Sequence, residues 1–211
     1  MEPISDFFKS ALFFIVATFG VNVGTDEPKY RVIEMIDQQT EIRLYAPRLA
    51  AEIHLSKTAE AKMESMAFGK LAAYIFGENK RNTKIDMTAP VEKSAVQQNS
   101  KIAMTAPVDV KKDQQSMTMR FFMPSEYHVD NLPEPTDKDI KIIKIPEQII
   151  AVRKYSGFSN DDNVKKQQED LMSALKLTEW KTMSDYRSYF YNPPWTIPFL
   201  RHNEILVEVK K

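Results

Sequence analysis

The chain has 211 residues and carries 29 basic and 29 acidic side chains, so its formal net charge is zero. This length can bury a hydrophobic core, whereas the balanced charge, with no cluster of lysine or arginine, gives no electrostatic basis for nucleic acid as a partner. The absence of cysteine excludes disulfides and Cys-ligated metal centres, and the five glycines form no nucleotide-binding loop.

The N-terminal residues differ from the rest of the chain. Residues 11–21 form an uncharged apolar run, ALFFIVATFGV, which is shorter than the roughly 20 apolar residues of a membrane-spanning helix. The run resembles the core of a secretory signal, although Glu2 and Asp6 precede it instead of basic residues. We expect residues 1–24 to be a signal or membrane anchor, with membrane attachment through residues 7–23, and residues 30–211 to be the folded domain. The protein would then be exported or membrane-anchored, and a cytoplasmic protein with a buried N-terminal helix is the alternative.

The first part of the domain shows strand and then helix periodicity. Apolar and polar residues alternate in residues 41–45 and 48–55, which predicts two strands joined at Ala46-Pro47. Residues 58–76 carry apolar side chains at helical spacing and are followed by Gly77, which predicts an amphipathic helix.

The second part repeats this order. Alternation predicts further strands, and apolar spacing predicts a second amphipathic helix at residues 161–175. The further predicted strands are residues 117–123, 140–145, 148–155, 185–191 and 204–209. The recurrence of strand, turn, strand, helix and strand from about Glu41 and from about Ile140 predicts two similar halves.

A shorter repeat lies between the halves. Lys84-Ile-Asp-Met-Thr-Ala-Pro-Val91 recurs as Lys101-Ile-Ala-Met-Thr-Ala-Pro-Val108. Because proline lacks an amide hydrogen, Pro90 and Pro107 are expected at strand edges or ends. We interpret the repeats as extended segments joined by a polar connection at residues 92–100. They either brace the fold or line a ligand groove.

No motif for catalysis is present. The three histidines, His54, His128 and His202, lie far apart and form no HExxH sequence, and no spacing of carboxylates indicates an acid–base pair. We therefore expect a binding protein and not an enzyme.

Several separated motifs together resemble one family. They are Glu41-Ile-Arg-x-Tyr45-x-Pro47, the two MTAPV segments, Tyr155-Ser-Gly-Phe158, Tyr191-Asn-Pro-Pro and Arg201-x-Asn203-Glu204. In this order, from about Tyr30 to Val209, they resemble the SOUL haem-binding protein family. The resemblance implies an α+β fold: a distorted antiparallel β-barrel with two flanking α-helices, built from two similar halves and related to bacterial effector-binding modules. It also implies a carrier or buffer that binds haem or another tetrapyrrole in a shallow apolar groove beside the first helix, with low affinity as one possibility.

A porphyrin needs apolar walls and a cation near its propionates. The candidates lie on the first helix and in the loop before the last strand. They are Met63, Met66, Lys70 and Tyr74 on the helix, and Trp195, Ile197, Phe199, Leu200 and Arg201 in the loop. Methionine and aromatic residues at helical spacing are also typical of a core. Arg201 and Glu204 can equally form a structural ion pair, which we favour for Glu204.

The sequence offers several candidate iron ligands. Some members of the family have histidine at the position of Leu44, and leucine cannot ligate iron. His202 is the best-placed histidine, Met63 or Met66 can supply a thioether, and tyrosine can also ligate haem. Otherwise, haem would be held by apolar contact without a strong axial ligand, and no metal other than the haem iron is expected.

Two other functions remain open at this point. A non-haem module for hydrophobic cations would need a carboxylate such as Glu64 or Glu204 facing its cleft. A protein-interaction domain would accept a partner helix in an apolar groove.

Overall fold

The computed structural model of the chain describes residues 26–56, 60–96, 116–193 and 195–211. Within these residues there are ten β-strands and two α-helices. The strands are β1 (Tyr30–Met35), β2 (Thr40–Tyr45), β3 (Arg48–Ser56), β4 (Val91–Val96), β5 (Ser116–Phe122), β6 (Ile140–Ile145), β7 (Gln148–Tyr155), β8 (Lys181–Thr182), β9 (Arg187–Phe190) and β10 (Asn203–Lys210). The helices are α1 (Glu60–Ile75) and α2 (Asp161–Leu175).

The strands form one curled antiparallel sheet. Its order is β1-β2-β7-β10-β9-β4-β5-β3-β6, and the short strand β8 pairs with the end of β10. This order has the same connectivity on either side of the central β4–β9 pair, where β2-β3-α1-β4-β5 corresponds to β6-β7-α2-β9-β10. The predicted fold class, a distorted antiparallel barrel with two helices and two similar halves, is confirmed.

The helices lie on one face of the sheet. Side chains in a strand point alternately to its two faces, and Ile42 and Ile205 belong to the apolar cluster that contains Leu171 of α2. On the same two strands, Tyr45 and Leu206 lie an odd number of residues away and belong to a separate cluster on the other face. The curled sheet therefore has a helix-covered face and an inner face.

Each helix is fixed by its apolar side. Helix α1 buries Met63, Ala67 and Leu71 in a cluster with residues of β3 and β5. Helix α2 begins after Asn160, whose side chain accepts a hydrogen bond from the backbone amide of Asn163, as is typical of a helix N-cap.

Three strands, β1, β4 and the two-residue strand β8, were not predicted from the sequence. Strand β1 is almost wholly exposed and lacks clean alternation. The predicted polar connection at residues 92–100 is wrong at its start, because Val91–Val96 is strand β4 and pairs with both β5 and β9.

Two predicted features fall outside the described residues. These are the second MTAPV segment at residues 101–108 and the signal or anchor at residues 1–24. No helix in the described parts of the chain combines the length and apolar character needed to span a membrane.

Candidate functional site

The β9–β10 loop ends at a histidine held in a defined position. The ring of His202 stacks on the ring of Tyr191, with centroids 4.0 Å apart and planes 7° apart. Its Nε2 lies 2.9 Å from Oε1 of Glu204, and 42% of its side chain is exposed. His202 is therefore oriented by two contacts while part of its ring faces solvent.

Glu204 is a fully buried carboxylate on the inner face of the sheet. Arg43 Nη2 donates to its Oε1 at 2.8 Å and Arg43 Nη1 to its Oε2 at 3.1 Å, although strand β7 separates the two parent strands. Tyr191 also donates its hydroxyl to Oε2 at 2.8 Å. Arg43 is fully buried as well, and it donates to Glu41 and to the Tyr45 hydroxyl. The buried Arg43–Glu204 pair thus makes several charge-assisted hydrogen bonds, which a buried ion pair needs to offset its loss of hydration.

These contacts keep Glu204 ionised. Burial opposes ionisation, but the hydrogen bond from His202 and the charge of Arg43 outweigh it and lower the pKa of Glu204 from 4.5 to about 2. An ionised carboxylate only accepts hydrogen bonds, so Nε2 of His202 carries the proton. In the neutral imidazole, Nδ1 then holds a lone pair, the form in which histidine binds a metal. A carboxylate bonded to the opposite ring nitrogen is the usual partner of a metal-binding histidine.

Exposed aromatic and aliphatic side chains lie in the same loop. Trp195 is 47% exposed, Phe199 73% and Leu200 38%, while Ile197 is partly buried. Phe158 of the β7–α2 connection is 62% exposed. We refer to Phe158, Trp195, Phe199 and Leu200 as the loop patch.

A cation borders the loop patch. The guanidinium carbon of Arg201 lies 5.5 Å from the centre of the Phe158 ring, and its Nε donates to the carbonyl of Thr196 at 2.9 Å. The backbone amide of Gly157 donates to the carbonyl of Pro198, which joins the two segments of the patch. The structure therefore places an apolar surface, an arginine and His202 in one loop region.

The candidates on α1 divide between core and surface. Met63 and Tyr74 are each 1% exposed and pack in the core, where the Tyr74 hydroxyl donates to the carbonyl of Pro133. Met66 and Lys70 lie on the outer side of the helix. Lys70 is already paired with two carboxylates, those of Asp137 at 2.9 Å and Asp139 at 2.5 Å.

The two sets of candidates contact different parts of the molecule. The recorded contacts of the α1 set run to residues 133–139 and to β3 and β5. Those of the loop run to the start of the β7–α2 connection.

Sequence reasoning missed the part played by Arg43 and Phe158. Both lie in the motifs used above, but no pattern shows that Arg43 pairs with a carboxylate 161 residues later. The expected ion pair of Glu204 exists, with Arg43 as the partner and not Arg201. Across the described parts of the chain, no group of three or more histidine, aspartate or glutamate side chains is arranged to hold a metal ion.

The fold and this loop define the chain as a two-helix antiparallel half-barrel with an oriented histidine at its end. The family model described as SOUL heme-binding protein matches residues 25–208, so the chain belongs to that family.

Two named relatives agree with this assignment, and a solved structure is similar in fold. The chain is 27% identical over 197 residues to a Mus musculus protein named Heme-binding protein 2, covering 88% of this chain and 89% of that protein. It is 31% identical over 177 residues to the Homo sapiens protein of the same name, covering 78% and 75%. The crystal structure of the EcmrR C-terminal domain matches with a TM-score of 0.60 at 10% identity, covering 82% of this chain and 98% of that one. The last match shows similarity of fold alone.

Proposed function

We propose that this protein binds haem, or another tetrapyrrole, on the loop patch, with Nδ1 of His202 as the iron ligand. Membership of the SOUL heme-binding protein family supports haem as the ligand class. The observation that favours this place in the molecule is the hydrogen bond between His202 and the buried Glu204. It fixes the tautomer that an iron ligand needs, in a loop whose apolar side chains are exposed.

The residues present fit the chemistry of the group. A porphyrin offers two broad apolar faces, for which Trp195, Phe199 and Leu200 are suitable partners. Its propionates are anions, and Arg201 supplies a guanidinium at the edge of the patch. Haem, when bound, supplies the iron to which an imidazole can ligate. His202 thus supplies the iron ligand that a leucine at position 44 cannot supply.

The physiological role that we propose is that of a carrier or buffer. The side chains of the loop patch are exposed, and exposed apolar surfaces bury less of a ligand than enclosed pockets do. Weak, reversible binding suits transfer better than permanent retention. We also propose that residues 7–23 attach the protein to a membrane or direct its export, on the basis of their apolar sequence. We propose no catalytic role.

A groove on the outer side of α1 is the second place for haem. Met66 is exposed there, but the ammonium group of Lys70 already pairs with two aspartates. A propionate would have to compete with them, so the β9–β10 loop is favoured.

A site for hydrophobic cations is also less favoured, because the carboxylates that it would need are already paired. Glu204 is neutralised by Arg43, and Glu64 pairs with Lys93. A cationic ligand at either carboxylate would have to displace a bound cation. A domain that accepts a partner helix has no specific contact in its favour.

Two matched substitutions test the location. Phe199→Asp and Met66→Asp each place a carboxylate on an exposed apolar position, so neither disturbs the core. We expect Phe199→Asp to weaken haemin binding at least about tenfold, because the new charge repels propionates and removes an apolar contact. Met66→Asp should leave the affinity within about twofold. The reverse pattern would move the site to α1, and loss of binding in neither variant would refute both places.

A further inference from the structure

A cavity lies next to the β2–β3 turn. Its volume is about 510 Å³, which is within the range of roughly 300–1,000 Å³ typical of small-molecule sites. Five separate segments line it, namely residues 26–29, 46–49, 88, 122–130 (without 126) and 144–145. None of its lining residues was a candidate from the sequence, and none belongs to the loop patch.

The wall of this cavity is apolar over much of its extent. Phe122 and Ile145 belong to the inner-face core, and Leu49 and Met123 lie beside them. Charged side chains of both signs occur at the exposed positions of the lining: Lys29, Lys144, Asp26, Glu27 and Asp130. Of these, Asp26 already accepts the backbone amides of Ser125 and Glu27. The cavity therefore combines an apolar interior with a mixed, exposed rim.

Arg48 is the exception on this wall. Its guanidinium lies 4.8 Å from the centre of the Tyr45 ring and 5.3 Å from that of Phe122. Its Nη groups donate to neutral acceptors: the carbonyl of Ala46, the amide oxygen of Gln148 and, at 3.4 Å, the hydroxyl of Tyr189.

No described carboxylate pairs with Arg48, and its buried Nε has no hydrogen-bond partner among the described residues. By contrast, the fully buried Arg43 and the partly buried Arg120 each pair with glutamates. Buried charges are normally matched by an opposite charge. Arg48 is thus a cation in the lining of a largely apolar cavity, and no carboxylate among the described residues neutralises it.

We propose that this cavity is a second binding site, for an apolar carboxylic acid whose carboxylate is held by Arg48. Arginine binds a carboxylate through two parallel N–H donors. A neutral ligand would need only a neutral donor at this position, so the arginine favours an anionic ligand. The hydrocarbon part of the ligand lies against Leu49, Phe122 and Ile145. This inference goes beyond the proposed function, because it involves neither His202 nor iron. A long-chain fatty acid and the propionate edge of a tetrapyrrole share the required chemistry.

Calorimetric titration of the full chain with two probes tests the proposal. Oleate, below its aggregation concentration, represents the fatty acid, and iron-free protoporphyrin represents the tetrapyrrole. Oleyl alcohol has the chain of oleate without its charge. Arg48→Met keeps an apolar stem and removes the guanidinium, whereas Val129→Trp adds bulk at an exposed lining position. Leu177→Trp adds the same bulk at a position that is 89% exposed and outside the cavity.

The proposal predicts saturable one-to-one binding of at least one probe by the wild type and by Leu177→Trp. Arg48→Met and Val129→Trp should each weaken that binding at least about tenfold. The first variant loses a charge-assisted hydrogen bond to the ligand, and the second loses the space that the ligand occupies. If oleate is the bound probe, oleyl alcohol should bind the wild type correspondingly more weakly. The probe that shows this pattern identifies the source of the carboxylate.

Other results overturn the proposal. Saturable binding of neither probe would refute the cavity as a site, and unchanged binding in Arg48→Met would refute its role as the anion partner. If Arg48→Met does not fold, Val129→Trp still decides, because its position is exposed. His202→Ala should leave oleate binding unchanged. This variant therefore distinguishes a failure of the proposed haem site at the loop from a failure of the proposed carboxylate site in the cavity.

Discussion

Replacing Glu204 by glutamine removes the buried anion that neutralises Arg43. In the wild type the two side chains are fully buried and joined by two hydrogen bonds. Glutamine keeps the size and an acceptor but leaves the guanidinium with Glu41 as its remaining carboxylate partner. Breaking a buried ion pair typically costs about 3–5 kcal/mol, and the remaining contact with Glu41 places Glu204→Gln at the lower end of this range.

The pKa of Glu204 gives an independent magnitude. A fall from 4.5 in the unfolded chain to about 2 in the fold corresponds to about 3 kcal/mol of stability. Because the folded pKa is the lower one, this stability is fully present above pH 4.5 and is lost as the pH falls from 4.5 towards 2. For a chain of this size about 3 kcal/mol lowers the Tm by roughly 6–12 °C.

Thermal unfolding followed by circular dichroism between pH 7 and pH 3 measures both effects. We expect Glu204→Gln to have the lower Tm at pH 7 and a smaller further loss of stability between pH 4.5 and pH 3. Glu134→Gln is the matched control, because Glu134 is exposed and its one ion pair among the described residues is with Lys80. Its Tm should lie within about 2 °C of the wild type. An unchanged Tm at pH 7 for Glu204→Gln, with the wild-type pH dependence, would refute the reasoning.

Further predictions concern stability measured by urea unfolding. Met63→Ala should cost about 2–5 kcal/mol because it opens a cavity in the core, whereas Met66→Ala should change stability by less than about 0.5 kcal/mol. Equal effects would contradict the placement of the two methionines. Asn160→Ala should lower the free energy of unfolding by about 1 kcal/mol, because α2 loses its N-cap. Asn160→Asp should retain most of the stability that the N-cap contributes. An Asp variant as unstable as the Ala variant would contradict the capping role. Lys70→Ala should cost less than about 1 kcal/mol, since its ion pairs are partly exposed and screened by salt, and a larger loss that persists in 1 M salt would contradict this.

The sequence predicted the elements whose periodicity reflects burial on one side. Helix α2 was predicted with its observed bounds, and β6 and β7 likewise, because their apolar spacing is regular. Strand β1 is exposed on both sides and shows no such spacing. Strand β4 is held by pairing with β5 and β9, which are distant in the chain, so its polar residues resembled a loop.

The candidate site was only partly predictable for a similar reason. Helical spacing identified Met63, Met66 and Tyr74 as one group, but periodicity alone does not tell a core side chain from a pocket side chain. The loop patch was identified because aromatic residues and Arg201 are close in sequence. Arg43 and Arg48 acquire their importance from contacts with residues more than 70 positions away, which no local pattern carries.

A haemin titration of the full-length wild type beside His202→Ala and His54→Ala tests the central claim most directly. His54 is exposed and its Nδ1 lies 3.1 Å from the hydroxyl of Thr118, so its loss controls for removal of a histidine. We predict a saturable one-to-one shift of the Soret band in the wild type and in His54→Ala. In His202→Ala the affinity should fall at least about tenfold and the spectrum should lose the signature of imidazole ligation. A shift that does not saturate, or the same affinity and spectrum in all three proteins, would contradict haem binding through His202.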